Sequence, residues 1–147
     1  MRRSIVLPAA SGKSTMIRKG LPGHVVEADD ICHHKETLHL ASLIEHGKLT
    51  GNWSLYKKEY GRILTERTSP GTIILLASSD LARQAQFRII GRFLLTPEPW
   101  LDNLTKRGVN ADKYIDNYES ERSEEHMMVD SRDELYQLVK DLCTKAS

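Results

Sequence analysis

Gly12-Lys13-Ser14-Thr15 is the stretch of this 147-residue chain whose residue types and order point most directly to chemistry. A glycine lets backbone N–H groups approach an anion closely. The lysine after it reaches the outer phosphates of a nucleoside triphosphate, and the next hydroxyl is a ligand for Mg²⁺. On that reading Ala10, Ser11, Gly12, Lys13, Ser14 and Thr15 contact the nucleotide, with Ser14 on the metal and Thr15 near the α-phosphate. The nucleotide is ATP or GTP. The first half of the loop departs from its pattern. GxxxxGK[ST] wants glycine where Leu7 stands, and the shorter GxGK form wants glycine where Ala10 stands. Pro8 removes one N–H, and the Ala10 methyl is tolerated only at negative φ. The residues that touch phosphate and metal are intact, so the expectation is a degraded consensus with retained chemistry.

Such a loop has to be held between a strand and a helix. The apolar run Ser4–Leu7 precedes it, and a helical pattern over Lys13–Lys19 follows, stopping at Gly20-Leu21-Pro22-Gly23. Further strands are predicted at His24–Ala28, Thr72–Ala77, Arg88–Leu95 and Met127–Val129. Thr72–Ala77 is continuously apolar, as a strand covered on both faces would be. Helices are predicted over 30–47 (closing at Gly47), 53–68, 80–86, from Pro97 or Pro99 to about Arg107, and 112–125. A last one begins at the capping box Ser131-Arg132-Asp133-Glu134. Strands separated by helices predict a three-layer α/β architecture around a parallel sheet.

The length fits one domain, residues 1–147, with a proper core. No apolar stretch is long enough to span a bilayer, and the first one is too short for a signal peptide. Cys32 and Cys143 lack the spacing of a disulfide framework or a zinc site. A reducing, cytoplasmic setting without a membrane partner is expected. Net charge is +1, unevenly spread: residues 1–110 carry 16 Lys and Arg against 10 Asp and Glu, and residues 111–147 carry 5 against 10. A basic body suits a phosphorylated or nucleic-acid substrate.

With these motifs in place, the chain resembles the small P-loop kinases, the group containing adenylate, shikimate and gluconate kinases and polynucleotide 5′-kinases. The resemblance extends over nearly the whole length. It implies a P-loop NTPase fold with a five-stranded parallel sheet in the order 2-3-1-4-5 and a small helical lid at about residues 105–122. "VVEADDI" matches the family's second strand, which ends in acidic residues. There a carboxylate orients or deprotonates the acceptor hydroxyl and helps hold Mg²⁺ through water. The resemblance carries that role to Asp29 or Asp30, with Asp29, nearer the strand, preferred and taken with Ser14 as the metal pair. Helix capping is the competing role of Asp30. "FLLTPEPWLDNLTKRG" matches the strand, turn and helix leading to the lid, which implies that Arg107 folds over the phosphates, with Lys106 adjacent. Arg122 is a second lid or acceptor arginine on this reading, against a solvated charge on the other. "HMMVDSRDELYQLVKDLC" matches the last strand, turn and helix, and makes Asp130 and Ser131 base-site candidates.

"TIILLASSD" lacks the acidic strand end of a motor-type site, and Asp80 is displaced into the next helix. Ser79 or Asp80 is expected as that helix's N-cap, with Asp80 as a metal carboxylate the alternative. His33, His34 and His39 lack metal-binding spacing and are assigned to the surface, with a place for His33 beside Asp29 or Asp30 at the acceptor site as the alternative. Trp53, Tyr56 and Tyr60 form a stripe read as core. Arg83, Arg88 and Arg92 are read as exposed charges, with an acceptor phosphate as their alternative partner. The function expected is ATP- and Mg²⁺-dependent phosphoryl transfer by Lys13, Asp29, Asp30 and Arg107. The acceptor hydroxyl belongs to a polynucleotide 5′ end, a nucleotide or a small metabolite. The alternative is a nucleotide- or RNA-binding module, or a simple NTPase, within a larger nucleic-acid-processing protein.

Overall fold

The computed structural model describes residues 2–8, 11–32 and 38–146, without the side chains of Leu38, His39 and Lys113. In chain order the elements are β1 (Arg3–Val6), α1 (Lys13–Gly20), β2 (Val25–Glu27), α2 (Ala28–Ile31), α3 (Leu38–Thr50), α4 (Ser54–Arg67) and β3 (Ile73–Leu76). They continue with α5 (Ser79–Gln84), β4 (Arg88–Leu95), α6 (Pro97–Lys106), a 3₁₀ turn (Ala111–Lys113), α7 (Ile115–Arg122), β5 (Met127–Val129) and α8 (Arg132–Lys145). The five strands form one sheet in the order β2-β3-β1-β4-β5. Every pairing is parallel, with Val6 opposite Leu76 and Phe93 opposite Met127.

Both sheet faces are covered. Ile73 and Leu75 join a core with Met16, Trp100, Tyr118 and Leu135, from α1, α6, α7 and α8. Ile74 and Leu76 alternate to the opposite face and pack with Leu40, Tyr60, Ile63 and Leu81, from α3, α4 and α5. This is why β3 reads as an unbroken apolar run. Successive side chains point to opposite faces, and neither face meets water.

Three boundaries differ from the sequence expectation. No single helix spans 30–47. α2 is one turn that continues directly from β2 and ends where Cys32 takes a non-helical backbone (φ −97°, ψ 50°); residues 33–37 lie outside the described residues, and α3 is described from Leu38. Gly47 does not stop α3, which runs to Thr50. It is a packing glycine, since a Cβ there would lie 2.5 Å from the Trp53 ring. The helix expected over 112–125 is the 3₁₀ turn, capped by Asn110 Oδ1 accepting from the Asp112 N–H at 3.0 Å, followed by the shorter α7. Among the described residues, no helix is long and apolar enough to cross a membrane.

Candidate functional site

The turn after β1 explains the missing consensus glycine. Leu7 is fully buried, and its N–H donates to Leu76 O at 2.7 Å, so strand pairing continues one residue past β1. Its side chain belongs to the core beneath α1. The turn itself is closed by Ser11, whose N–H and hydroxyl both donate to Pro8 O, at 3.2 and 2.7 Å. Gly12 stands at φ +91° and ψ 28°, a left-handed conformation costly for any residue with a Cβ. A Cβ there would meet nothing within 4 Å, so the glycine serves backbone shape rather than packing. Ala10 lies outside the described residues.

Beyond this turn, a cavity of about 320 Å³ opens at the carboxyl end of the sheet. Gly12, Lys13, Ser14 and Thr15 line it from α1, Glu27 and Asp29 from the junction of β2 and α2, and Arg107 from the end of α6. Lys13 is buried, with Nζ donating to Leu7 O at 3.2 Å and Pro8 O at 3.5 Å. Burial pulls its pKa below the ordinary lysine value, against the opposing pull of Asp29 and Glu27, while Arg107 adds to the lowering. A buried ammonium that donates, among the described residues, to two carbonyls at the mouth of a cavity is placed to exchange them for a polyanion.

Glu27 was not anticipated. It is buried, and one of its oxygens accepts the Ser14 hydroxyl proton at 2.6 Å. With that proton committed to Glu27, the lone pairs of Ser14 Oγ remain available to a cation. The sequence did carry a signal. Val25 and Glu27 alternate on one face of β2, and both are buried, so the strand places an acid where an apolar residue is the rule.

Asp29 follows in the first turn of α2. Its carboxylate accepts the Tyr60 hydroxyl proton at 2.7 Å. A second cavity of about 190 Å³ adjoins the first, sharing Lys13, Asp29 and Ala77, and is walled by Tyr56, Tyr60 and Leu81. Two of the three aromatics read as a core stripe therefore wall a cavity, and only Trp53 lies away from it. Burial raises the Tyr56 phenol to about 12 and the Tyr60 phenol further, with Asp29 contributing to both. Both tyrosines are neutral hydrogen-bonding groups at physiological pH. Asp30 is exposed and lines neither cavity. Asp80 is paired with Lys57 Nζ at 2.5 Å, which keeps its pKa low, and it lines neither cavity.

On the far side, Arg107 follows α6 and faces the cavity together with Asn103 and Tyr114. Arg122 is not brought there. It is exposed on α7, 3.8 Å from Glu119, which matches its alternative as a solvated charge. Ser131 caps α8, accepting from the Glu134 N–H at 3.1 Å. Its neighbours Arg132 and Asp133 line a separate hollow of about 270 Å³ with Gly12, Thr15 and Tyr136. Asp130 is exposed beside the cap.

α7 is fastened to the sheet rather than standing off it. Buried Glu121 accepts from the Ser79 N–H at 3.0 Å and from the Ser79 hydroxyl, and lies 3.9 Å from Arg92. Asn117 donates to Ala77 O at 2.8 Å, and the Tyr118 hydroxyl donates to Leu95 O at 2.5 Å. Ser79 is therefore not the cap of α5, nor is Asp80. Ser78 Oγ accepts the Leu81 N–H at 3.3 Å and takes that role. The same network absorbs two of the arginines weighed for an acceptor phosphate. Arg83 pairs with Glu124 at 2.7 Å, and Arg92 donates to Glu125 O at 2.7 Å. Arg2 and Arg3 clamp Thr68 O and Ala146 O, spending basic charge on fold closure. His33 and His34 lie outside the described residues.

No protein-family model matches the chain, and no curated protein matches it. Its structure is similar to TT1252 from Thermus thermophilus, with a TM-score of 0.55 and 17% identity over 99% of this chain and 95% of that one. It is also similar to a gluconokinase from Sinorhizobium meliloti 1021, with a TM-score of 0.53 and 15% identity over 98% of this chain and 91% of that one. At such identities the likeness is one of fold. The all-parallel sheet ordered 2-3-1-4-5, helices on both faces and these neighbours give the chain a P-loop kinase-like fold.

Proposed function

We propose that the chain is a phosphotransferase that moves the γ-phosphate of ATP or GTP, with Mg²⁺, to the hydroxyl of a compact acceptor. The observation that carries this reading is convergence: Lys13, the Ser14–Glu27 pair and Asp29 meet in one cavity, and Asp29 also borders a second. The residues fit the implied groups. Gly12 leaves open space where a side chain would stand, and Ser14 and Glu27 offer oxygen donors suited to a hard cation. Among the described residues no cluster of His, Cys, Asp and Glu could hold a metal alone, so the cation would be shared with the substrate's phosphates.

Phosphoryl transfer asks mainly for positioning and charge neutralisation. Lys13 would leave the carbonyls of Leu7 and Pro8 for the outer phosphates. Ser14 Oγ, oriented by Glu27, would ligate Mg²⁺, which supplies charge neutralisation when bound. Arg107 would meet the phosphates from the end of α6. Asp29 would accept a hydrogen bond from the acceptor hydroxyl and align it for in-line attack. The adjoining cavity of about 190 Å³ supports a small metabolite or the terminal nucleoside of a polynucleotide as acceptor. The gluconokinase among the structural neighbours is compatible with the former.

The test is incubation with γ-labelled ATP, Mg²⁺ and a panel of polyols, nucleosides, nucleotides and 5′-hydroxyl oligonucleotides. Label is expected on one acceptor class. Transfer should fall by about 10²-fold or more in Asp29→Asn. Label released only as free phosphate, with every acceptor, would refute the proposal.

A further inference from the structure

Asp29 presents a problem of precision. It is an exposed residue in a helix of one turn, where a carboxylate would ordinarily swing freely between rotamers. Transfer needs its oxygen fixed to a fraction of an ångström, because near-attack geometry is lost quickly with displacement.

We propose that Tyr60 is the positioning residue for Asp29, holding Oδ1 so that Oδ2 is presented to the acceptor hydroxyl. The inference rests on the phosphotransferase reading above and adds a residue that no motif points to. Tyr60 Oη lies 2.7 Å from Asp29 Oδ1. The tyrosine is itself immobile, being 4% exposed. Its ring is tilted against Tyr56 with centroids 5.7 Å apart, and its carbonyl accepts from Cys32 Sγ at 3.7 Å, tying α4 to the end of α2. An anchor buried in the core and held by these two contacts thus restrains a side chain that its own helix cannot hold. The direction of the bond is also defined. Burial and the adjacent Asp29 hold the phenol proton far above its ordinary range, so Tyr60 donates and Asp29 accepts. Among the described residues, the charged or titratable groups near this pair include Lys13, Glu27, Cys32, Tyr56, Lys57 and Arg107.

The test is a double-mutant cycle of Tyr60→Phe and Asp29→Asn, with MgATP turnover as the readout and, as the probe, the acceptor of the panel above that takes label, or water where turnover is hydrolytic. Tyr60→Phe removes one oxygen and keeps the ring. It is expected to lower kcat on the order of tenfold, with KM for MgATP within about twofold of the unaltered chain. In the Asp29→Asn background the same change should cost nothing further, because Tyr60 acts only through Asp29. A chain carrying 3-fluorotyrosine at position 60 retains ring and hydroxyl, and should keep kcat within about twofold. Unchanged kcat in Tyr60→Phe, losses that multiply in the double variant, or loss in the fluorotyrosine chain would overturn the assignment alone. Absence of MgATP turnover by the unaltered chain, with water and with every acceptor of the panel, would overturn the phosphotransferase reading, and the assignment with it.

Discussion

Restoring the consensus glycine, Leu7→Gly, should destabilise the domain severely rather than improve the loop. Leu7 has no exposed surface and packs into the core that α1, α6 and α8 share with the sheet. Truncating a buried leucine to alanine costs about 3–5 kcal/mol, from lost transfer energy and the cavity left behind. Glycine adds about 1 kcal/mol through the freedom it gives the unfolded chain. The sum, about 4–6 kcal/mol, rivals the whole stability of an ordinary domain, roughly 5–15 kcal/mol. For a chain of 147 residues this is a fall in Tm of roughly 10–20 °C. Leu7→Ala should fall slightly less. The Lys13 contact would not improve, because Nζ uses the Leu7 carbonyl, which glycine retains. Denaturant titration followed by circular dichroism, with MgATP affinity measured beside it, decides the matter. A Leu7→Gly chain within about 1 kcal/mol of the unaltered one, binding MgATP more tightly, would refute the claim that Leu7 is a core residue.

Lys13→Met should abolish MgATP turnover yet leave the fold intact. It should also remove a pH dependence. The folded-state pKa of Lys13 lies below the unfolded value, so the unfolded chain binds more protons and stability rises with pH through that window up to about 10.5. Denaturation midpoints across alkaline pH should show a shallower rise in the variant. Glu27→Gln should raise the Mg²⁺ concentration for half-maximal activity by roughly tenfold, since the neutral amide accepts the Ser14 hydroxyl more weakly than the carboxylate and removes a negative charge beside the cation. Glu121→Ala should destabilise by about 3–5 kcal/mol in urea melts, because it strips the Ser79 N–H and the half-buried Arg92 of a shared carboxylate.

The parts of the fold that were legible in the sequence are those governed by local rules. All five strands announce themselves as apolar runs, and Ser131 marks the start of α8 by the hydroxyl that caps it. What escaped was decided by tertiary contacts. The run 30–47 carries a helical pattern, yet Cys32 breaks it with its side chain buried against the backbone of α4. Gly47 looks like a helix stop until the Trp53 ring is found lying over it. Two serines and an acid in "SSD" are equally good caps by type. Only Glu121, forty-two residues away, settles the matter by claiming the Ser79 N–H. In the site, Gly12, Lys13, Ser14 and Asp29 were legible from the motif and the resemblance. Glu27 carries no motif signal, and only the alternation of burial along β2 marks it. Tyr60 was hidden by a stripe that reads equally well as core.

The central claim is that Lys13, Ser14, Glu27 and Asp29 form one phosphoryl-transfer centre. A crystal structure of the chain with Mg²⁺ and a non-hydrolysable ATP analogue tests it most directly. Lys13 Nζ is expected to have left Leu7 O and Pro8 O for the outer phosphates, with Mg²⁺ on Ser14 Oγ beside Glu27 and Asp29 facing the γ-phosphate. An analogue bound away from this cavity, with Lys13 still on its two carbonyls, would contradict it.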